Sequence, residues 1–204
     1  MFGNSFQKNK SKKNKSKSKM FFLIGVISAL SALLIWRFYV DNVAKYDVTI
    51  NPSNNVSFHG QKPIALNYKG LDQELYSQKA SLNFIYFYST WCKSCYKNFS
   101  IINEIAREFQ NTKLNFVAVA IDKDIDSLKL QEYLKKYSNI YFRPFYLENR
   151  DDFKEFLHKN NINYKGRVPF LAIIDNKKNL VISYSGLRSL SYLRKKIIEN
   201  LYLK

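Results

Sequence analysis

Cysteine and histidine are scarce in this 204-residue chain, two of each, and the 16 acidic residues are outnumbered by 33 lysines and arginines. Both cysteines fall in one stretch, Trp91-Cys92-Lys93-Ser94-Cys95. A disulfide closing so short a loop constrains the unfolded chain by only about 2 kcal/mol, a poor staple for a chain of this size. A zinc site needs four ligands, and only His59 and His158 remain to complete one, both far from the pair and outside familiar spacings. No cysteine lies near the N-terminus, which excludes a lipid-modified start. The favoured reading is a redox-active dithiol with no metal and no cofactor beyond its own disulfide, ahead of a structural bridge and of a metal site.

What is present around the pair supports that chemistry. Leu82 to Tyr88 is apolar on both alternating faces except at Asn83, which predicts a strand buried on both sides. After Cys95 the residues Ile102, Ile105, Ala106 and Phe109 recur at helical spacing, so a helix is expected from Cys92 or Lys93. Its N-terminus would hold Cys92, where free N–H groups and the macrodipole favour the thiolate that does the chemistry. Lys93 adds a weaker push the same way and is the candidate residue for tuning the thiol pKa. Cys95, one turn on, is the candidate resolving thiol.

The formal charge of +17 suggests nucleic acid as a partner, but its distribution argues otherwise. Seven lysines lie in residues 1–19 with no acid, and the later ones are dispersed rather than clustered around aromatics. A solvated basic surface, with weak attraction to an anionic membrane surface, explains them without nucleic acid. Residues 1–19 read as a disordered lysine-rich tail. Met20 to Val40 carries no charge except Arg37, and as helix would span about 31 Å, close to the hydrocarbon thickness. Trp36 and Tyr39 would lie at the far interface, and the positive-inside rule keeps the lysines cytoplasmic. An uncleaved signal anchor is favoured over cleavage after Ser31, because the apolar run continues through Trp36. Residues 41–55 form a tether, with a short strand candidate at Asp47 to Ile50, and residues 56–204 form the domain it carries.

Within that domain Ile64 to Asn67 is a short strand candidate and Gly70 marks a turn. Strand 82–88, helix 93–109, strand 114–121 and helix 126–137, the last with Ile125, Leu128, Tyr133, Leu134 and Tyr137 as its apolar positions, make a β-α-β unit on a parallel sheet. A strand near Phe145 to Leu147 and a helix at Asp151 to His158 read as an insertion, with His158 on the solvated side. Val168-Pro169, strand 170–174, a turn at 175–179, strand 180–184 and a helix from Ser189 complete a β-β-α half.

The order β-α-β then β-β-α, with Trp-Cys-x-x-Cys at the first helix and Val-Pro before the third core strand, resembles the thioredoxin fold: α/β, a central mixed sheet flanked by helices, here preceded by a single N-terminal transmembrane helix. With the anchor and the insertion the chain resembles the membrane-anchored TlpA/ResA/DsbE group of thiol-disulfide oxidoreductases, over roughly residues 56–204 and most closely at 87–95. The resemblance implies a cis bond before Pro169, and substrate docking at Trp91, Pro169 and the backbone of Val168. It also implies an exported thiol or disulfide protein as substrate, such as apocytochrome c, a membrane-bound electron donor, and a catalytic domain in the periplasm, held on the inner membrane by a single pass. Three positions depart from the family. Lys93 and Ser94 lie between the cysteines where proline is common; Asn98 and Ser100 stand where glutamate and proline are common; Tyr86 stands where ordinary thioredoxins have a buried aspartate. Moving the Cys95 proton therefore falls to water or a backbone-bound network. The alternatives to a reductase are a disulfide-introducing oxidant of the same fold, or a copper metallochaperone of the SCO type, disfavoured by the two-residue gap and by the placement of His158.

Overall fold

The computed structural model describes residues 31–34, 37, 55–76, 79–186 and 188–202. The chain divides into two units, 1–49 and 50–204. Of the first, residues 31–34 and 37 are described, and they are helical. The lysine-rich tail and the strand candidate at 47–50 lie outside the described residues, as does most of the expected membrane span 20–40. Among the described residues no helix is long and apolar enough to cross a membrane.

In the second unit, β1 (Ile64–Leu66), β2 (Leu82–Tyr88), β3 (Leu114–Ala120), β4 (Pro144–Leu147), β5 (Phe170–Asp175) and β6 (Leu180–Ser185) form one mixed sheet in the order β1-β4-β3-β2-β5-β6. The first four strands run parallel, β5 runs antiparallel to β2, and β6 antiparallel to β5. Every residue of β2 is buried, as a strand apolar on both faces requires. On one face Phe84, Tyr86 and Tyr88 pack with α2 (Lys93–Phe109), α3 (Ser127–Leu134) and α5 (Leu190–Tyr202). On the other, Ile85 and Phe87 pack with α1 (Tyr68–Tyr76) and α4 (Arg150–Lys159). Asn83, the polar exception in β2, accepts a hydrogen bond from Asn115 Nδ2 at 3.1 Å across the β2–β3 register, so its burial leaves no orphan acceptor.

Three expectations are corrected. Gly70 lies inside α1 instead of in a turn. Asn67 Oδ1 accepts the Gly70 N–H at 2.8 Å and starts the helix, while Leu71 and Leu75, one turn apart, bury its inner side. A side chain at Gly70 would come within 3.2 Å of Leu66 Cδ2, so close packing on β1 outweighs the roughly 1 kcal/mol that glycine costs a helix. Helix α3 stops at Leu134, short of the expected 137. Asp126 caps it by accepting the Lys129 N–H at 2.8 Å, and its inner residues are Leu130, Tyr133 and Leu134 while Leu128 is 69% exposed. The segment read as an insertion is built into the sheet: β4 lies between β1 and β3, and α4 covers one face beside α1.

Candidate functional site

Parallel β2 and β3 end on the same side of the sheet, and antiparallel β5 begins there, with Phe87 opposite Phe170. The residues after β2 and those before β5 therefore meet at one end, where open α/β sheets place their sites. The loop 89–92 is held from two directions. Its Cys92 N–H bonds to Ser89 O at 3.1 Å, and Thr90 donates from its backbone N–H (3.0 Å) and its Oγ1 (2.6 Å) to the Asp122 carboxylate that follows β3.

Cys92 is the N-cap of α2, with extended backbone angles of φ −81° and ψ 104°, and its Sγ accepts the Cys95 N–H at 3.0 Å. The helix thus places a free donor on the sulfur that must carry charge, as the apolar spacing led one to expect. The two cysteines are joined in a disulfide with Cα atoms 5.2 Å apart. Both are nearly buried, and Cys92, not Cys95, lines a cleft beside Trp91. Trp91 beside it is 72% exposed, and Lys93 is exposed on the first turn of α2.

The Val168–Pro169 peptide bond is cis. Pro169 is buried, and its carbonyl accepts the Gly186 N–H at 2.8 Å. Val168 and Trp91 line one cleft of about 280 Å³, together with Tyr164 and Gly166. A second cleft of the same volume joins Trp91 to Cys92, Lys93 and Tyr96. All six residues singled out from the sequence therefore gather at this end of the sheet. A wider cleft, about 440 Å³, is elsewhere, lined by Lys113, Leu114 and Asn115 where β3 begins. We place the chemistry at the dithiol because no cysteine lines the wider cleft.

In the buried cluster that holds both cysteines, Tyr86 and Tyr88 bring polar atoms where the sequence showed only missing carboxylates. Tyr86 OH, Tyr88 OH, Ser89 Oγ and Asn98 Oδ1 are buried, and among the described residues none meets a hydrogen-bond partner at full geometry. Burial raises the Tyr86 phenol above its ordinary value, and the nearby Asn98 side chain offsets part of that rise. Burial likewise raises Tyr88, with Tyr133, Tyr86 and Asp122 adding to the shift. A phenol held this way keeps its proton wherever thiols react, so it can donate to a thiolate but cannot serve as a base. The Asp122–Thr90 clip gave no sequence signal, because its partners are 32 residues apart.

His158 is exposed on α4, and the described residues contain no group of three or more His, Cys, Asp or Glu side chains placed for a metal ion.

Residues 81–180 match the model of a family described as thioredoxin-like. Similar solved structures include StoA from Bacillus subtilis, 15% identical, with a TM-score of 0.47 over 59% of this chain and 84% of that one. They also include a thiol:disulfide interchange protein of the thioredoxin family from Chlorobium tepidum TLS, 16% identical, with a TM-score of 0.49 over 70% and 98%. A third is MTB dsbF in its mixed oxidized and reduced forms, 16% identical, with a TM-score of 0.48 over 73% and 97%. No curated protein sequence gives a significant match.

Proposed function

We propose that this chain, whose residues 81–180 match a thioredoxin-like family and whose Cys92 and Cys95 form a disulfide, is a thiol-disulfide oxidoreductase working through that pair, and that it is an exported, membrane-tethered reductase of protein disulfides. The observation that carries this reading is Cys92 as the cap of α2, its sulfur accepting the Cys95 N–H at the surface-facing end of a buried pair. In the reduced enzyme the Cys92 thiolate attacks one sulfur of a substrate disulfide. That S–S bond breaks, a mixed disulfide forms, and the other substrate sulfur leaves as a thiolate that takes up a proton. Cys95 then loses its proton and attacks Cys92 Sγ. The substrate departs with its second thiol, and the two electrons it has gained are matched by the Cys92–Cys95 disulfide left behind. Trp91, Pro169 and the Val168 backbone hold the substrate segment, and the Lys93 ammonium favours the Cys92 thiolate. No cofactor is required beyond the disulfide itself.

The basic tail and the apolar run 20–40 support a single-pass anchor with the N-terminus in the cytoplasm and the domain on the periplasmic side of the inner membrane. A membrane-bound dithiol donor would return the two electrons there, and the TlpA/ResA/DsbE resemblance makes apocytochrome c an example of the substrate in cytochrome c biogenesis. Cys95→Ser removes the resolving thiol, so the full-length variant should accumulate as a mixed disulfide with its substrate in cells. Non-reducing electrophoresis with no such adduct, where the wild type is present and folded, would contradict the reading. An oxidant of the same fold is the second reading, favoured by the lysines around Cys92, since a more stable thiolate makes the disulfide more oxidising.

A further inference from the structure

The exposed Trp91 stands between the two 280 Å³ clefts, and both are lined with cations and no carboxylate. Lys93, Lys97 and Lys136 rim the cleft that opens onto Cys92. Arg150 and Lys154 rim the one shared by Trp91 and Val168. Their placement follows from the fold. Lys93 and Lys97 are one turn apart on α2, and Arg150 begins α4 just after β4, which ends on the same side of the sheet as β2.

Elsewhere some cations have acidic partners, among them Arg194, which bonds Glu108 at 2.6 Å, Arg107, which bonds Glu104, and Lys196, which bonds Glu199. Among the described residues Lys93, Lys97, Lys136 and Arg150 have no acidic partner, and Lys154 alone of the five is paired, with Asp151 at 2.7 Å. Lys136 lies over the Tyr133 ring, 5.3 Å from its centre. Of the carboxylates nearby, Asp122 is taken by both donors of Thr90 and Asp151 by Lys154. The floors are apolar or aromatic, Tyr96 and Tyr133 in one cleft and Phe153, Leu157 and Tyr164 in the other. Such a surface suits an extended peptide whose apolar side chains fill the floors while carboxylates meet the rims.

We propose that the substrate of Cys92 is an acidic protein segment, with Asp or Glu on both sides of the cysteine under attack and the chain lying across Trp91 from one basic rim to the other. The proposal rests on Cys92 being the attacking thiol and names the class of substrate it takes. Rim charges act chiefly on encounter, so the preference should appear in the association rate and weaken with salt.

The test is single-turnover reduction by the full-length, pre-reduced protein in detergent. Three peptide disulfides of one sequence are compared, carrying Glu, Gln or Lys on both sides of the cysteine, alongside neutral 2-hydroxyethyl disulfide. The Glu peptide should react roughly tenfold faster than the Lys peptide at low ionic strength, the order of effect expected of steering charges, and the gap should close as salt is added. The K136E/R150E double variant should reverse the order, which a general loss of structure would not do. Failure to reduce 2-hydroxyethyl disulfide would overturn the oxidoreductase reading itself. Reduction of it with equal rates for the three peptides would overturn the proposal alone. If that equality came with binding to phosphatidylserine vesicles that K136E/R150E loses, the basic rims would belong to the membrane surface.

Discussion

The two faces of β2 are buried to the same degree and are built for different work. On one, Phe87 packs against the rings of Phe153, Phe156 and Phe170 at centroid separations of 4.7, 5.6 and 6.3 Å, with Ile85 beside it, and the polar β2 side chain on that face, Asn83, is satisfied by Asn115. On the other, Tyr86 and Tyr88 stack 5.6 Å apart at the same depth in the cluster that holds the dithiol, and their hydroxyls, like Asn98 Oδ1 and Ser89 Oγ, lack full hydrogen bonds. An unpartnered buried hydroxyl costs about 1–3 kcal/mol, so the tyrosine face gives up stability that the phenylalanine face supplies. The lesson is that stability and chemistry are divided between the two faces of a single strand, presented by successive residues of the pleat.

The largest effect should come from breaking the apolar face. Phe87→Ala should destabilise the domain by about 3–5 kcal/mol in urea unfolding while leaving the reduction potential of the pair in place. A matching shift in potential would mean the faces are not separate. A smaller effect should come from the polar face. Tyr86→Phe removes a hydroxyl that meets no full partner, so stability should hold or rise by about 1 kcal/mol. The pH at which Cys95 resolves a mixed disulfide should rise by about one unit as its thiolate loses a donor, with Asn98→Leu moving it the same way. The smallest effect is in the pH dependence of stability. The Tyr86 and Tyr88 phenols are raised in the folded state, whereas the unfolded chain releases those protons near pH ~10. Their contribution is therefore complete below pH ~10 and is lost as pH climbs above it, because only the unfolded state can then ionise them. Urea midpoints between pH 8 and 11 should fall for the wild type and fall less steeply for Tyr86→Phe.

How much of this was legible in the sequence depended on whether the signal was local. The double-faced apolar run 82–88 and the period after Cys95 specified β2, α2 and the N-cap position of Cys92, because burial patterns repeat within a few residues. The α1 helix was hidden: Gly70 reads as a turn residue, and only Leu71 and Leu75 mark its inner face until β1 is there to pack against. Leu128 misled for the related reason that one exposed leucine can fit a helical period by chance. The cis bond at Pro169 was legible only through family resemblance. The clip between Thr90 and Asp122, and the basic rims that join α2, the chain after α3 and α4, depend on long-range packing that no local pattern encodes.

The central claim, that this dithiol works as a reductant, is tested most directly by the reduction potential of the Cys92–Cys95 pair. It can be measured in the full-length protein in detergent, equilibrated in dithiothreitol or glutathione buffers and read by Trp91 fluorescence. The account predicts a reversible two-electron couple at or below the thioredoxin range of about −270 mV. A couple near −120 mV would contradict it and make the protein a donor of disulfides.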